Sequence, residues 1–383
     1  DLPPMAAGLF GAFGYDMVRL LEPLGEANPD PLDLPDAVLA RPSLVAIFDS
    51  VSHEIVLVAA AYPDGTTPAD QALSQAIARL DDFEARLDQG LPRPRAEPRP
   101  APEFRTRVDG PAFDGMVNRA KRYIEAGDIF QVVLSHRLSA EWTRDPFAFY
   151  RSLRRQNPSP YLFYLNFGGF QMAGSSPEIL VRLKDGGVTI RPLAGTRPRG
   201  ADEVEDKRLE AELLADPKER AEHLMLLDLG RNDVGRVSRP GSVTVTESFV
   251  VERYSQVMHI VSNVTGAADP KLDAVDTLLA ALPAGTLSGA PKVRAMEIID
   301  ELETEKRGIG YGGGVGYISA DGQADICIVL RTALFTPGQI HVQAGAGVVA
   351  DSDPAAEYAE TLAKARAPMR AAADAWRFVS GND

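Results

Sequence analysis

Residues 311–349 read YGGGVGYISADGQADICIVLRTALFTPGQIHVQAGAGVV. Two turn signals, Ala320-Asp321-Gly322-Gln323 and Thr336-Pro337-Gly338-Gln339, interrupt apolar and β-branched runs, and the pattern predicts a three-stranded antiparallel meander. In its middle strand, alternation puts Ala324, Ile326, Ile328 and Leu330 on one face and Asp325, Cys327, Val329 and Arg331 on the other. The third strand carries Gly345 and Gly347 on one face. Two glycines at i,i+2 clear side chains from the backbone, which admits either a ligand or a tight sheet contact.

Toward the N-terminus the stretch from Gly8 to about Ala61 is β-rich, and Leu44–Phe48 and Ile55–Ala59 read as paired strands around Asp49–His53. A helix is predicted from about Pro68 to Leu87. The prolines of Leu91–Pro102 then lack the amide donors that a helix or ladder needs, so 91–105 reads as an exposed Pro/Arg-rich connector. Beyond it Phe113, Met116, Val117, Ala120 and Ile124 recur at helical spacing, Gly127-Asp128 breaks the helix, and Ile129–Leu138 is a strand. Strands, then helices, then more strands predict an α+β fold with large antiparallel sheets packed with flanking helices. The expected division is the remainder of an N-terminal β-rich lobe (1–90), the connector (91–105) and a main domain (106–378).

With 383 residues, 45% hydrophobic and 25% charged, the chain can bury one large or two ordinary cores. A net charge of -14, with no basic stretch to offset it, excludes nucleic acid and anionic membrane as natural partners. An anionic substrate therefore needs a local cationic pocket. The single cysteine, Cys327, rules out an internal disulfide framework and fits a reducing, cytoplasmic setting. No uninterrupted apolar run is long enough to span a bilayer.

Two glutamate pairs carry the first hint of chemistry: Glu219 with Glu222, and Glu357 with Glu360. Spacing of i,i+3 lets each pair present carboxylates from one helix face. The first helix opens on an Asp216 N-cap and Pro217, and Glu222 then shares its face with Leu226 and Leu229. A carboxylate on an apolar stripe calls for a positive partner, and Mg²⁺ held by one or two carboxylates plus an anionic substrate is one. The plainer readings are a capping box for Asp216-x-x-Glu219 and an i,i+4 ion pair of Glu360 with Lys364.

Three longer motifs are more specific: Pro192-Leu193-Ala194-Gly195-Thr196-Arg197-Pro198-Arg199-Gly200, Asp228-Leu229-Gly230-Arg231-Asn232-Asp233, and Pro283-Ala284-Gly285-Thr286-Leu287-Ser288-Gly289-Ala290-Pro291-Lys292. Together they resemble the chorismate-utilising enzyme family, and the resemblance runs from Gly8–Asp16 to about Trp376. It implies that 106–378 is a chorismate-binding catalytic domain. It further implies that Glu222 and Glu360 hold Mg²⁺, with Glu219 and Glu357 beside them partly through water. Tyr311, Arg331, Gly345, Gly347 and Lys364 would surround the substrate carboxylates, and an arginine there binds a carboxylate bidentately. Glu178 matches the general acid that protonates the leaving 4-hydroxyl, and His259 the residue that serves removal of the C2 proton. Gly195, Thr196 and Thr286 would line the pocket; their plainer reading is turn chemistry.

Two positions separate the branches. Water-adding members carry a base lysine where this chain has Gln131, a residue also expected to line the substrate site. The aminodeoxychorismate-forming branch typically carries a nucleophilic lysine in its version of Pro192–Thr196, where this chain has Ala194. Both departures point to the branch that uses ammonia and releases pyruvate to form anthranilate, the committed step of tryptophan biosynthesis. An aminodeoxychorismate-forming enzyme of the folate pathway and a non-catalytic chorismate-binding paralogue are the alternatives.

Cys327 sits mid-strand with no histidine nearby in sequence, so ammonia is expected from a separate glutamine amidotransferase subunit. Members of the branch usually begin with roughly a hundred more residues, a substantial part of a domain. The Leu-Leu-Glu-Ser half of their tryptophan-inhibition site is not in this sequence. Asn157-Pro158-Ser159-Pro160-Tyr161, the other half, is.

Overall fold

The computed structural model describes residues 2–61, 66–90, 97–254 and 257–379. The first part runs β1 (Gly8–Phe13), β2 (Ala37–Ala40), β3 (Leu44–Asp49), β4 (Glu54–Ala59), α1 (Ala69–Leu87), β5 (Arg105–Thr106), α2 (Gly110–Glu125), β6 (Gln131–Glu141) and α3 (Pro146–Gln156). The middle follows with β7 (Tyr161–Asn166), β8 (Gln171–Ser176), β9 (Ile179–Lys184), β10 (Gly187–Ile190), β11 (Leu193–Pro198), α4 (Glu203–Ala215) and α5 (Pro217–Val237). Then come β12 (Thr244–Arg253), β13 (Val257–Ala267), α6 (Ala274–Ala281), β14 (Gly289–Ala290) and α7 (Lys292–Leu302). The chain closes with β15 (Gly314–Ser319), β16 (Ala324–Ile328), β17 (Thr332–Thr336), β18 (Gln339–Val348) and α8 (Pro354–Asp374).

Two large antiparallel sheets form the body, as the α+β expectation requires. One has nine strands in the order β11-β13-β10-β9-β16-β15-β1-β2, with β12 also on β13; the other has seven, β14-β6-β18-β17-β8-β7, with β5 on β6. A β3-β4 hairpin stands apart in register Leu44↔Ala59 to Asp49↔Glu54. Apolar residues of α5 and α6, including Leu227, Val234 and Leu278, pack on Leu180, Val181 and Ile326 of the nine-stranded sheet. On the seven-stranded sheet, Phe149 and Leu153 of α3 meet Ala365 and Ala371 of α8 over Ala333, Phe335 and Val342. The sheets face each other through Ala12, Val315, Cys327 and Val329 on one side and Met172 and Leu334 on the other.

Local chemistry sets the helix starts that matter for the site. Asp216 caps α5 by accepting from the backbone N–H groups of Lys218 (2.9 Å) and Glu219 (3.3 Å), with Pro217 in the first turn. Glu219 does not complete a capping box: its carboxylate turns to Arg197 instead, 2.8 Å away. Asp353 caps α8 through the N–H of Ala356 at 2.9 Å. Lys292, in the first turn of α7, meets Asp233 of α5 at 2.7 Å with both side chains nearly buried, so two of the sequence motifs converge on one ion pair.

The meander is where the structure departs from the sequence reading. Both predicted turns are present, but the middle strand is two strands in two sheets. β16 pairs with β15 and β9, while β17 pairs with β18 and β8. Between them Val329–Arg331 carries the chain across, and Arg331 adopts φ 49°, a left-handed conformation that costs a non-glycine residue energy. Arg331 is therefore not on a polar strand face. Cys327 and Val329 belong to the buried layer between the sheets. Alternation could not reveal the break, because side chains on both sides of the run are buried. Of the connector, 91–96 lie outside the described residues, 97–104 have no regular structure, and Arg105-Thr106 already pairs with β6.

Candidate active site

His259 is placed by the pairing of β13 with β11, in which Thr196 stands opposite it and the register shifts between Ala194 and Thr196. Gly195 occupies that irregularity at φ 72°, which an L side chain rarely adopts. Its carbonyl lies 3.1 Å and the Thr196 hydroxyl 3.0 Å from Nδ1 of His259. A carbonyl only accepts, so Nδ1 carries the proton and Nε2 keeps its lone pair. Burial pulls this imidazole down to about 4, so it is neutral at physiological pH. The ring of Tyr254 stands edge-on at 5.6 Å.

Glu178 follows Ser176-Pro177 at the head of β9 and is only 7% exposed. Burial pushes its carboxyl up to about 8, against the hydroxyl of Thr286 donating to Oε1 at 3.1 Å, the charge of Arg331 and the N–H of Leu193. It is a carboxylic acid, not a carboxylate, at neutral pH. The Arg331 guanidinium in turn is held below its ordinary value by burial, with Glu178 and Tyr254 acting in the opposite direction. The crossover that strains Arg331 thus delivers a cation beside the acid.

The glycine pair of β18 serves side-chain approach. A Cβ on Gly345 would stand 2.6 Å from the Tyr311 hydroxyl, and one on Gly347 2.6 Å from Nε2 of Gln131. Gln131 donates from Nε2 to Oε1 of Glu222 at 3.1 Å. Lys364 donates to the Gly345 carbonyl at 3.0 Å and pairs with Glu360 at 2.8 Å, the i,i+4 bridge expected from sequence.

α5 and α8 bring the four glutamates into one electrostatic neighbourhood. Burial raises the carboxyl of Glu222, and Glu219 and Glu360 raise it further, while its hydrogen bond from Gln131 and the charge of Lys364 oppose. Glu357 is raised by burial and by Glu360, and Ser352, Lys218 and Lys364 oppose. Among the described residues no three His, Cys, Asp or Glu side chains stand close enough to hold a metal unaided. Crowded, partly buried carboxylates in cation deficit nevertheless fit a hard cation that takes its remaining oxygens from water and substrate.

Behind Tyr311 lies a network absent from the sequence reading. The guanidinium of Arg307 is sandwiched between the rings of Tyr15 (4.8 Å) and Tyr311 (5.5 Å). It bonds Glu303 through Nε (3.0 Å) and through a terminal nitrogen (2.6 Å), and donates to the carbonyls of Leu287 and Val133, each at 2.6 Å. Glu303 accepts from the N–H and hydroxyl of Ser135. In sequence this pair sits in Glu301–Arg307, which reads as a solvated helix end; only the i,i+4 spacing of Glu303 and Arg307 hints at more. Tyr254, beside His259, carries no such signal.

The last predicted set sits at the passage from α3 into β7. Asn157 donates to the hydroxyl of Ser175 at 3.3 Å, and Pro158 and Ser159 continue the loop into β7. Pro160 and Tyr161 line a cavity of about 830 Å³ whose walls include Arg182, Arg191, Tyr254 and Glu178 itself. Cys327 is buried and its thiol is pushed up to about 12 by that burial, the setting of an inert cysteine.

A family model described as chorismate binding enzyme matches residues 1–370. The chain is 59% identical to anthranilate synthase component 1 of Cereibacter sphaeroides over 381 residues, which is 99% of this chain and 76% of that protein. Among solved structures, anthranilate synthase component I from Streptococcus pneumoniae superposes with a TM-score of 0.85 at 42% identity, over 95% of this chain and 81% of that one. The menaquinone-specific isochorismate synthase of Escherichia coli has a TM-score of 0.78 at 23% identity over 97% of this chain and 80% of that one, a likeness of fold.

Proposed function

The chain belongs to the chorismate-binding enzyme family, and from that premise we propose that it performs the anthranilate synthase component 1 reaction: chorismate and ammonia to anthranilate, pyruvate and water. The observation that carries this reading is a pair of buried titratable groups whose environments drive them apart. Glu178 is held protonated near neutrality and His259 is held neutral. One site thereby holds an acid for one step and a base for the next.

In the first step the nitrogen lone pair of ammonia forms a bond to C2 of chorismate. The electrons of the two ring double bonds shift toward C4, the C4–O bond breaks, and Glu178 supplies the proton with which the hydroxyl leaves as water; the ammonium formed at C2 then gives up a proton, which restores the acid. The product is 2-amino-2-deoxyisochorismate. In the second step Nε2 of His259 takes the C2 proton, the C3–O bond breaks, and the enolpyruvyl group leaves as pyruvate once protonated. Aromatisation drives this elimination. Arg331, Tyr311 and Lys364 hold the substrate carboxylates, with Gly345 and Gly347 making room for the Tyr311 hydroxyl and the Gln131 amide that border the site, and Gly195, Thr196 and Thr286 lining it. Glu222 and Glu360 would hold Mg²⁺, with Glu219 and Glu357 beside them through water, and the ion would neutralise the ring carboxylate.

Ala194 supports the anthranilate reading over the aminodeoxychorismate one, since it cannot form a covalent adduct. The inert Cys327 supports a separate glutamine amidotransferase, component 2, as the source of ammonia, and tryptophan as inhibitor belongs with Asn157–Tyr161. The single cysteine supports a cytoplasmic setting. No helix among the described residues is long and apolar enough to cross a membrane.

His259→Met is expected to impair elimination more than amination, because only the second step removes the C2 proton. Rapid quench followed by chromatography should show the aminated, non-aromatic intermediate accumulating. Equal loss of both steps with no intermediate would make His259 a packing residue and undo its assignment as base.

A further inference from the structure

Three hydrogen bonds hold Tyr254, the residue that follows β12. Its hydroxyl donates to Oε2 of Glu252 at 2.9 Å, and Oε1 of the same carboxylate accepts from Arg191 at 2.7 Å, an arginine that also pairs with Glu247 at 3.0 Å. Its carbonyl accepts from Arg199 at 2.8 Å, and its N–H donates to the carbonyl of Val257 at 2.8 Å. Backbone and phenol tip are both fixed. The ring between them lies against His259, with centroids 5.6 Å apart and planes at 63°. Tyr254 also lines the cavity of about 830 Å³ that Glu178 lines, so the contact stands at the wall of the reaction space. Arg199 belongs to the same Pro192–Gly200 stretch that supplies Gly195 and Thr196 to Nδ1 of His259.

An imidazole held through Nδ1 alone can rock about that atom, and Nε2, on the opposite side of the ring, moves the most. A tilted aromatic neighbour removes this freedom, because ring pairs have a preferred separation and angle. We propose that Tyr254 is a positioning residue for the elimination step: tethered through Glu252 and Arg191, its ring holds the imidazole of His259 in the orientation that presents Nε2 to the C2 proton. This rests on the reading of His259 as the base of that step. The phenol is not a spare acid, since its proton is already committed to a carboxylate. Arg191 balances the charge of Glu252, so the tether sets no bare anion near an imidazole that has to stay neutral. Amination at C2 calls on none of these groups, and the tyrosine therefore acts on one step only.

Tyr254→Leu removes the ring; Tyr254→Phe keeps the ring, loses only the tether and is the gentler change for folding. Single turnovers with ammonium chloride, stopped by rapid quench, give chorismate loss and anthranilate formation as separate rates. Misplacing the base should slow elimination about tenfold to a hundredfold in Tyr254→Leu and about threefold or more in Tyr254→Phe, with amination within about twofold of wild type and the non-aromatic intermediate building up. In a chain that already carries His259→Met, adding Tyr254→Leu should leave elimination within about twofold of the single variant, because nothing remains to be positioned. Equal slowing of both steps, or a full further loss in the double variant, is what a merely structural role gives and overturns the proposal. Should Tyr254→Leu fail to fold, Tyr254→Phe carries the same test, and elimination at the wild-type rate there overturns it. If His259→Met itself accumulates no intermediate, the reading of His259 as base fails and takes this proposal with it. If His259→Met accumulates the intermediate and the Tyr254 variants do not, only the positioning role fails.

Discussion

Glu178→Gln is expected to lower kcat for ammonia-dependent anthranilate formation by about 10²–10⁴-fold, the range a positioned general acid supplies, with little change in the KM for chorismate. Glutamine preserves shape and can still accept from Thr286, but it has no proton to give the departing hydroxyl. The pH profile should carry the same signature. The acid works only while protonated, so wild-type activity is present below about 8 and falls as pH rises through that value. The glutamine variant should lack this alkaline limb. Linkage gives an independent check: a carboxyl raised in the folded state binds its proton more tightly there than in the unfolded chain, so its contribution to stability is present at low pH and lost as pH rises through about 8. Above that pH the variant should melt at a higher temperature than wild type. A loss smaller than about tenfold with the alkaline limb intact would place the acid elsewhere.

Glu222→Gln and Glu360→Gln should each cost on the order of 10²-fold or more in Mg²⁺-supported turnover, as expected when a cation that stabilises substrate charge loses a formal charge from its site. The fold should survive. Each glutamate lies in a cluster of like charges, and Glu222 is already raised by burial and by its neighbours. Removing the charge of Glu222 relieves repulsion in the apo protein, so that variant should not melt earlier in the absence of Mg²⁺; Glu360→Gln gives up only a half-exposed ion pair with Lys364, which contributes little, so it should melt close to the wild type. What should weaken is the rise in melting temperature that Mg²⁺ with chorismate gives the wild type, a readout that does not depend on catalysis. Unchanged Mg²⁺ dependence at full activity in both variants would mean that α5 and α8 do not hold the cation.

The parts legible in the sequence were those with short-range causes. Asp216-Pro217 announces α5 because caps are local, and the two Gly-bearing turns at 320–323 and 336–339 announce the β15-β16 and β17-β18 reversals. The glutamate pairs follow from helical spacing alone. What local pattern could not supply was the sheet change at Val329–Arg331, since both faces of that run are buried and alternation continues through the break. The same crossover aims Arg331, so its place beside Glu178 comes from tertiary structure. Arg307 and Glu303 were hidden for a related reason: a charged helix end looks solvated until Tyr15, some three hundred residues earlier in the chain, closes over it. Glu178 had no local signature at all, and its raised carboxyl is a product of burial that only the fold creates.

One measurement decides whether this site aminates and then aromatises. The purified chain is given chorismate, Mg²⁺ and ammonium chloride, and anthranilate and pyruvate are followed together, with glutamine replacing ammonium in a parallel reaction. The acid and base assigned to Glu178 and His259 require both products to appear at the same rate in equal amounts with ammonium, and neither with glutamine alone. Formation of a non-aromatic aminated product without pyruvate, or turnover driven by glutamine, would contradict it.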